Sequence, residues 1–262
     1  MTLTVGTGPF ARRAPGVFNF DAKALPGHVL FLEDCAWRMR VVHGGRTVAD
    51  SRRVRRLHET GYAPVLYFPF EDLDGGLLRA TDHTTHCPFK GQAHYWNVEV
   101  GGVVAANAVW GYPQPLESSP LPADLVAFDY AAMDAWYEED ELVFAHPRDP
   151  YHRVDVRQAS QHVRVFVHGE LMADTQRPLR LAETGLATRF YLPPEDVRTD
   201  LLSESTTRTQ CPYKGEAAYR SARVGERVAE DIAWTYPAPL AEAEKVAGWL
   251  CFQGEAVETR VE

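Results

Sequence analysis

Polar and apolar residues alternate over short stretches of this chain, and Gly or Pro breaks the alternation at close intervals. Arg38-Met39-Arg40-Val41-Val42 has the period of two that a half-buried strand needs, and Val29-Leu30-Phe31-Leu32 is an apolar run of strand length. Gly44-Gly45 marks a tight turn with Val48-Ala49-Asp50 returning beyond it, which predicts a hairpin. Val65-Leu66-Tyr67-Phe68-Pro69 predicts a strand stopped by proline. Glu71-Asp72 follows and predicts a short helical turn, because carboxylates favour a helix start. Leu125-Val126-Ala127-Phe128 predicts a closing strand. Long patterns of helical period are scarce, so the fold is expected to be mainly β with short helical turns. Before these elements, Gly6, Gly8, Pro9, Pro15, Gly16 and Pro26 break any regular structure. Residues 1–26 are therefore expected to form an irregular N-terminal arm, packed on a domain through Phe10, Val17, Phe18 and Phe20.

The whole pattern recurs 124 residues later. Cys87-Pro88-Phe89-Lys90-Gly91 returns as Cys211-Pro212-Tyr213-Lys214-Gly215. Leu57-His58-Glu59-Thr60-Gly61 matches Leu181-Ala182-Glu183-Thr184-Gly185, and Trp110-Gly111-Tyr112-Pro113 matches Trp234-Thr235-Tyr236-Pro237. The predicted strand ending at Pro69 has its copy ending at Pro193, again followed by an acidic pair, Glu195-Asp196. Two tandem homologous all-β domains follow, at 27–146 and 151–262, joined by a linker at 147–150.

At 262 residues the chain has room for two cores of modest size. A net charge of −9 disfavours nucleic acid and anionic membranes as partners, since both need a basic field. The run Arg52-Arg53-Val54-Arg55-Arg56 is read as a solvated face rather than a phosphate site. No apolar stretch approaches the length of a membrane span, and Met1 to Phe18 lacks an apolar signal core, so a cytoplasmic protein with reduced thiols is expected. There is no Cys-x-x-Cys pair, and His83-Thr84-Thr85-His86-Cys87 has no metal-binding counterpart in the second copy, so neither metal nor cofactor is expected.

The Glu-Thr-Gly, Tyr-x-Pro-x-Glu-Asp, Cys-Pro-aromatic-Lys-Gly and Trp-x-Tyr-Pro strings, each present twice, resemble a tandem member of the bacterial domain-of-unknown-function 427 family. The resemblance implies a small all-β domain of the β-tent group. Several β-tent relatives hold zinc with two cysteine pairs, which this chain lacks. The family also bears a nucleotidyltransferase label, but no Gly-Ser loop with an Asp-x-Asp pair is present.

Polar and aromatic residues matched between the copies form the candidate site. They are Glu59, Tyr67, Lys90, Tyr95, Trp110 and Tyr112, with Glu183, Tyr191, Lys214, Tyr219, Trp234 and Tyr236. Aromatic walls with a few charged groups suit a small molecule or a short peptide, which gives the first reading: a binding protein with two quasi-equivalent pockets. The second reading is an enzyme with Glu59 or Glu183 as general base, with Cys87 or Cys211 as a possible nucleophile. The third is a structural or interaction protein whose matched residues are core. The matched histidines are limited to His28/His152 and His43/His168, and none is expected near the pentapeptide.

Overall fold

The computed structural model describes residues 3–6, 8, 10, 11, 19, 21 and 26–262. The expected packing of Val17, Phe18 and Phe20 lies outside the described residues. Phe10 is half-buried, and its carbonyl accepts a bond from Thr60 Oγ1. The chain divides into two compact units, residues 1–149 and 150–262. Both are mainly β, with multiple antiparallel sheets.

The first unit contains β1 (Leu30–Asp34), β2 (Met39–His43), β3 (Arg46–Ser51), β4 (Arg55–Glu59), β5 (Tyr62–Pro69), β6 (Leu78–Cys87), β7 (Gly91–Val100), β8 (Val103–Gly111), β9 (Leu125–Phe128), β10 (Ala135–Glu138) and β11 (Glu141–Leu142). A seven-stranded sheet runs β1-β4-β5-β9-β8-β7-β6, and a four-stranded sheet runs β11-β10-β2-β3. The alternation of side chains along each strand sorts two cores onto opposite faces of the large sheet. Leu66, Phe68, Val109 and Val126 join Val41 and Trp136 of the small sheet in one cluster. Their strand neighbours Tyr67, Leu125 and Ala127 pack with Leu57, Tyr112 and Leu121 in the other. Full burial of one such side chain contributes about 1.5–3 kcal/mol.

The second unit contains β12 (Val154–Gln158), β13 (Val163–Val167), β14 (Glu170–Thr175), β15 (Leu179–Glu183), β16 (Arg189–Tyr191), β17 (Leu202–Cys211), β18 (Gly215–Val224), β19 (Arg227–Thr235), β20 (Cys251–Phe252) and β21 (Val257–Val261). Here the large sheet is split into β12-β15-β16 and β17-β18-β19-β20, bridged only at Leu192 and Leu250. One cause is local. In the first unit Phe70 N–H donates to Asp124 O at 2.8 Å and prolongs the β5–β9 pairing. Its counterpart is Pro194, which has no N–H to donate.

The acidic pairs after the strand-ending prolines form single 3-10 turns, Phe70–Asp72 and Pro194–Asp196. Gly61 and Gly185 lie in the tight connections that follow β4 and β15, with φ of 90° and 78°.

Candidate functional site

Three segments distant in sequence bring a cation, a carboxylate and an imidazole together in each unit. Glu59 is the last residue of β4, Lys90 lies in the turn between β6 and β7, and His28 precedes β1. Lys90 Nζ donates to Glu59 Oε2, and His28 Nε2 lies 3.0 Å from Glu59 Oε1. The second unit repeats this with Lys214 Nζ on Glu183 Oε2 and His152 Nε2 at 3.0 Å from Glu183 Oε1. Both carboxylates are buried.

The turn geometry follows from the pentapeptide. Gly91 has φ of 105° and pairs opposite Cys87, and a Cβ there would stand 3.2 Å from Gln114 O. Glycine is needed on both counts, for its left-handed backbone and for the close approach of the Gln114–Leu116 segment. Leu116 N–H donates to Lys90 O and so holds the lysine's backbone. The aromatic residue of the turn carries the histidine. The His28 and Phe89 rings stack at 3.6 Å, and those of His152 and Tyr213 at 3.9 Å. Thr60 Oγ1 accepts from Val29 N–H at 3.0 Å and fixes the backbone beside His28; Thr184 does the same for Arg153.

The expectation that no matched histidine stands near the pentapeptide is therefore corrected. His28 and His152 belong to the cluster, and their 124-residue spacing was the signal for it. Their roles were missed because each lies far in sequence from the pentapeptide it touches.

The cluster's electrostatics suit an ion pair. Burial pushes the Glu183 carboxyl up, but the His152 hydrogen bond and the Lys214 charge outweigh it, leaving the pKa below the ordinary value. Each glutamate has both oxygens engaged, so taking a substrate proton would require breaking one of these contacts. Burial pushes the Tyr67 and Tyr112 hydroxyls up, and both stay neutral.

The remaining candidates continue from this cluster across the same sheet face. Lys90 Nζ lies 5.8 Å from the centre of the Tyr112 ring. Tyr67, Ala127, Trp110 and Tyr95 pair in one row from β5 to β7. Trp234 Nε1 donates to the Tyr191 hydroxyl at 3.2 Å, and Trp110 and Tyr67 hold the matching positions in the first unit. Tyr95 and Tyr219 hydroxyls bond Thr85 and Thr209 at 2.9 and 3.2 Å. Tyr236 is buried with Tyr191 in the second unit's matching cluster.

The far end of this row meets open space. Tyr95 and Trp110 line a cavity of about 530 Å³ beside Val65, completed by Phe128, Tyr130 and Trp136. Glu59, Lys90, Tyr67 and Tyr112 do not line it. Trp136 is 3% exposed, and its indole N–H has no partner among the described residues. Sequence comparison missed Trp136 because it has no aromatic match. It pairs with Val41, whereas Val165, the counterpart of Val41, pairs with Thr259.

Cys87 and Cys211 are half-buried free thiols, while Cys35 and Cys251 are buried. Burial pushes the Cys251 thiol up to about 12. The arginine run is neutralised locally: Arg52 pairs with Glu139, Arg53 with Glu71 and Asp72, Arg55 with Asp34, and Arg56 with Glu33. Arg56 is buried and departs from the expected solvated face. Among the described residues no three His, Cys, Asp or Glu side chains are grouped to hold a metal ion. No helix among them is long and apolar enough to cross a membrane.

The family described as "Domain of unknown function (DUF427)" matches residues 31–139 and, a second time, 155–262. No curated protein matches the chain.

Proposed function

The chain belongs to the domain-of-unknown-function 427 family, carrying it twice, and from that premise we propose that its first unit binds a small, uncharged, ring-bearing molecule. Trp136, whose buried indole N–H has no partner among the described residues, lines an aromatic cavity of about 530 Å³, and this carries the reading. A buried donor without a partner costs about 1–3 kcal/mol. A ligand acceptor atom at Trp136 removes that cost, while Trp110, Phe128 and Tyr130 supply apolar walls. The histidine–glutamate–lysine cluster has a separate role, fastening the β6–β7 turn to β4 and to the start of β1.

Quinoline tests the reading: it is flat, neutral at pH 7.5, and has one ring acceptor. Naphthalene has the same shape without the acceptor. In ¹H–¹⁵N spectra of the full chain, quinoline is expected to shift the Trp136 and Trp110 indole signals saturably. Naphthalene is expected to bind about threefold to tenfold more weakly, the worth of one hydrogen bond. Trp136→Phe keeps a ring in place and should abolish that preference. If neither indole responds to quinoline up to its solubility limit, the proposal fails.

A further inference from the structure

The second unit has a cavity in the corresponding place, of about 370 Å³. Its lining includes Arg189, Phe190, Phe252 and Gln253, the counterparts of Val65, Leu66, Phe128 and Asp129 on the first unit's cavity. Three of these four positions are exchanged; two of the exchanges change charge, and both act in the same direction. An apolar Val65 becomes a cationic Arg189, and an anionic Asp129 becomes a neutral Gln253. Thr259 on the wall takes the register position of Trp136, a smaller side chain in that place.

Arg189 lies against an aromatic ring instead of in an ion pair. Its guanidinium carbon lies 5.7 Å from the centre of the Trp234 ring, which supports the planar group by its face. The other half-buried arginines of this unit, Arg164 and Arg220, pair with Glu262 and Glu204. Arg189, also half-buried, has no carboxylate partner among the described residues, in a chain of net charge −9. A guanidinium edge presents two parallel N–H donors that match the two oxygens of a carboxylate.

We propose that this cavity is a binding site for a small organic carboxylate, with Arg189 receiving the carboxylate and Phe190 and Phe252 contacting the apolar remainder. A single guanidinium fits a monoanion better than a phosphate dianion, which calls for more cationic or N–H donors than this wall offers. The two copies have on this view diverged in ligand charge while keeping the place of the cavity. The inference is independent of the first unit's neutral ligand, because it rests on residues of the second unit.

Benzoate is the probe, with benzamide as its uncharged analogue, and the indole N–H of Trp234 in the full chain is the reporter. Benzoate is expected to shift that signal saturably, with benzamide at least about tenfold weaker, as the loss of one charge-assisted contact implies. Arg189→Val, which installs the first unit's residue, should weaken benzoate by a similar factor and leave benzamide nearly unchanged. Arg189→Lys should retain part of the benzoate affinity. The proposal is overturned if Trp234 is silent to benzoate at about 20 mM, well above a millimolar Kd. Benzamide or inorganic phosphate matching benzoate in the wild-type chain overturns it too, and that comparison depends on no variant folding. A silent Trp136 with quinoline would leave this result unaffected.

Discussion

Lys214→Met separates the cluster's ion pair from its packing. Methionine keeps much of the lysine's apolar stem and removes the ammonium. Glu183, with its side chain 6% exposed, would then keep His152 on Oε1 and lose its partner on Oε2. Breaking a buried pair on one side typically costs about 3–5 kcal/mol, and the surviving histidine contact sets the expected loss near the lower end, about 3 kcal/mol. At an m-value of about 1.5 kcal/mol/M, the urea midpoint falls by about 2 M. The assay is urea unfolding of the full chain at pH 7, followed through the Trp234 and Trp249 indole signals of the second unit. Acid supplies a second arm. The wild-type Glu183 pKa is depressed in the fold, so its stabilisation is complete above the ordinary carboxylate range and is lost as pH falls through the folded value. In the variant, burial without the lysine favours the protonated acid, so its deficit shrinks as pH falls. The gap between wild type and variant should therefore narrow from pH 7 to about pH 4. A loss under about 1 kcal/mol, the range of an exposed pair, would refute this account, as would a gap independent of pH.

Gly91→Ala should destabilise the first unit by about 1–3 kcal/mol, because φ is 105° and the new Cβ meets Gln114 O at 3.2 Å. Gly101→Ala has nothing within 4 Å and φ of 55°, so chemical denaturation should show a smaller loss, about 1 kcal/mol. Alkylation of the native chain at pH 8 should modify Cys87 and Cys211 well before Cys35 and Cys251. With its pKa near 12, the buried Cys251 is only about one part in ten thousand thiolate there. Peptide mass mapping checks the order, and early labelling of Cys251 would count against a closed core.

The elements that alternate in sequence were the legible ones. Met39–His43 has the burial pattern its polar and apolar residues imply, and Gly44-Gly45 turns where the dipeptide predicts. The ten-residue strand Leu78–Cys87 was harder to read. It is a sheet edge exposed along most of its length, so its Thr, Asp and His residues show no apolar face. The candidate site was half legible. Matching the copies picked out Glu59, Lys90 and Trp110 as important, yet it could not tell an enclosed ion pair from a cavity wall. That distinction depends on where β9 ends and what the unmatched Trp136 covers. The cavities are lined in part by positions that differ between the copies, Val65 against Arg189 and Asp129 against Gln253, and a search for identity passes over these.

The histidine that closes each cluster stands just ahead of the family's repeating segment. The matched spans begin at residues 31 and 155, while the ring that completes the carboxylate's shell belongs to His28 or His152. A piece of the second unit excised from Val154 onward would contain all its strands and still leave Glu183 short of one partner. The repeat as a structural module is thus a few residues longer than the matched stretch, because each cluster is closed by a ring from outside it.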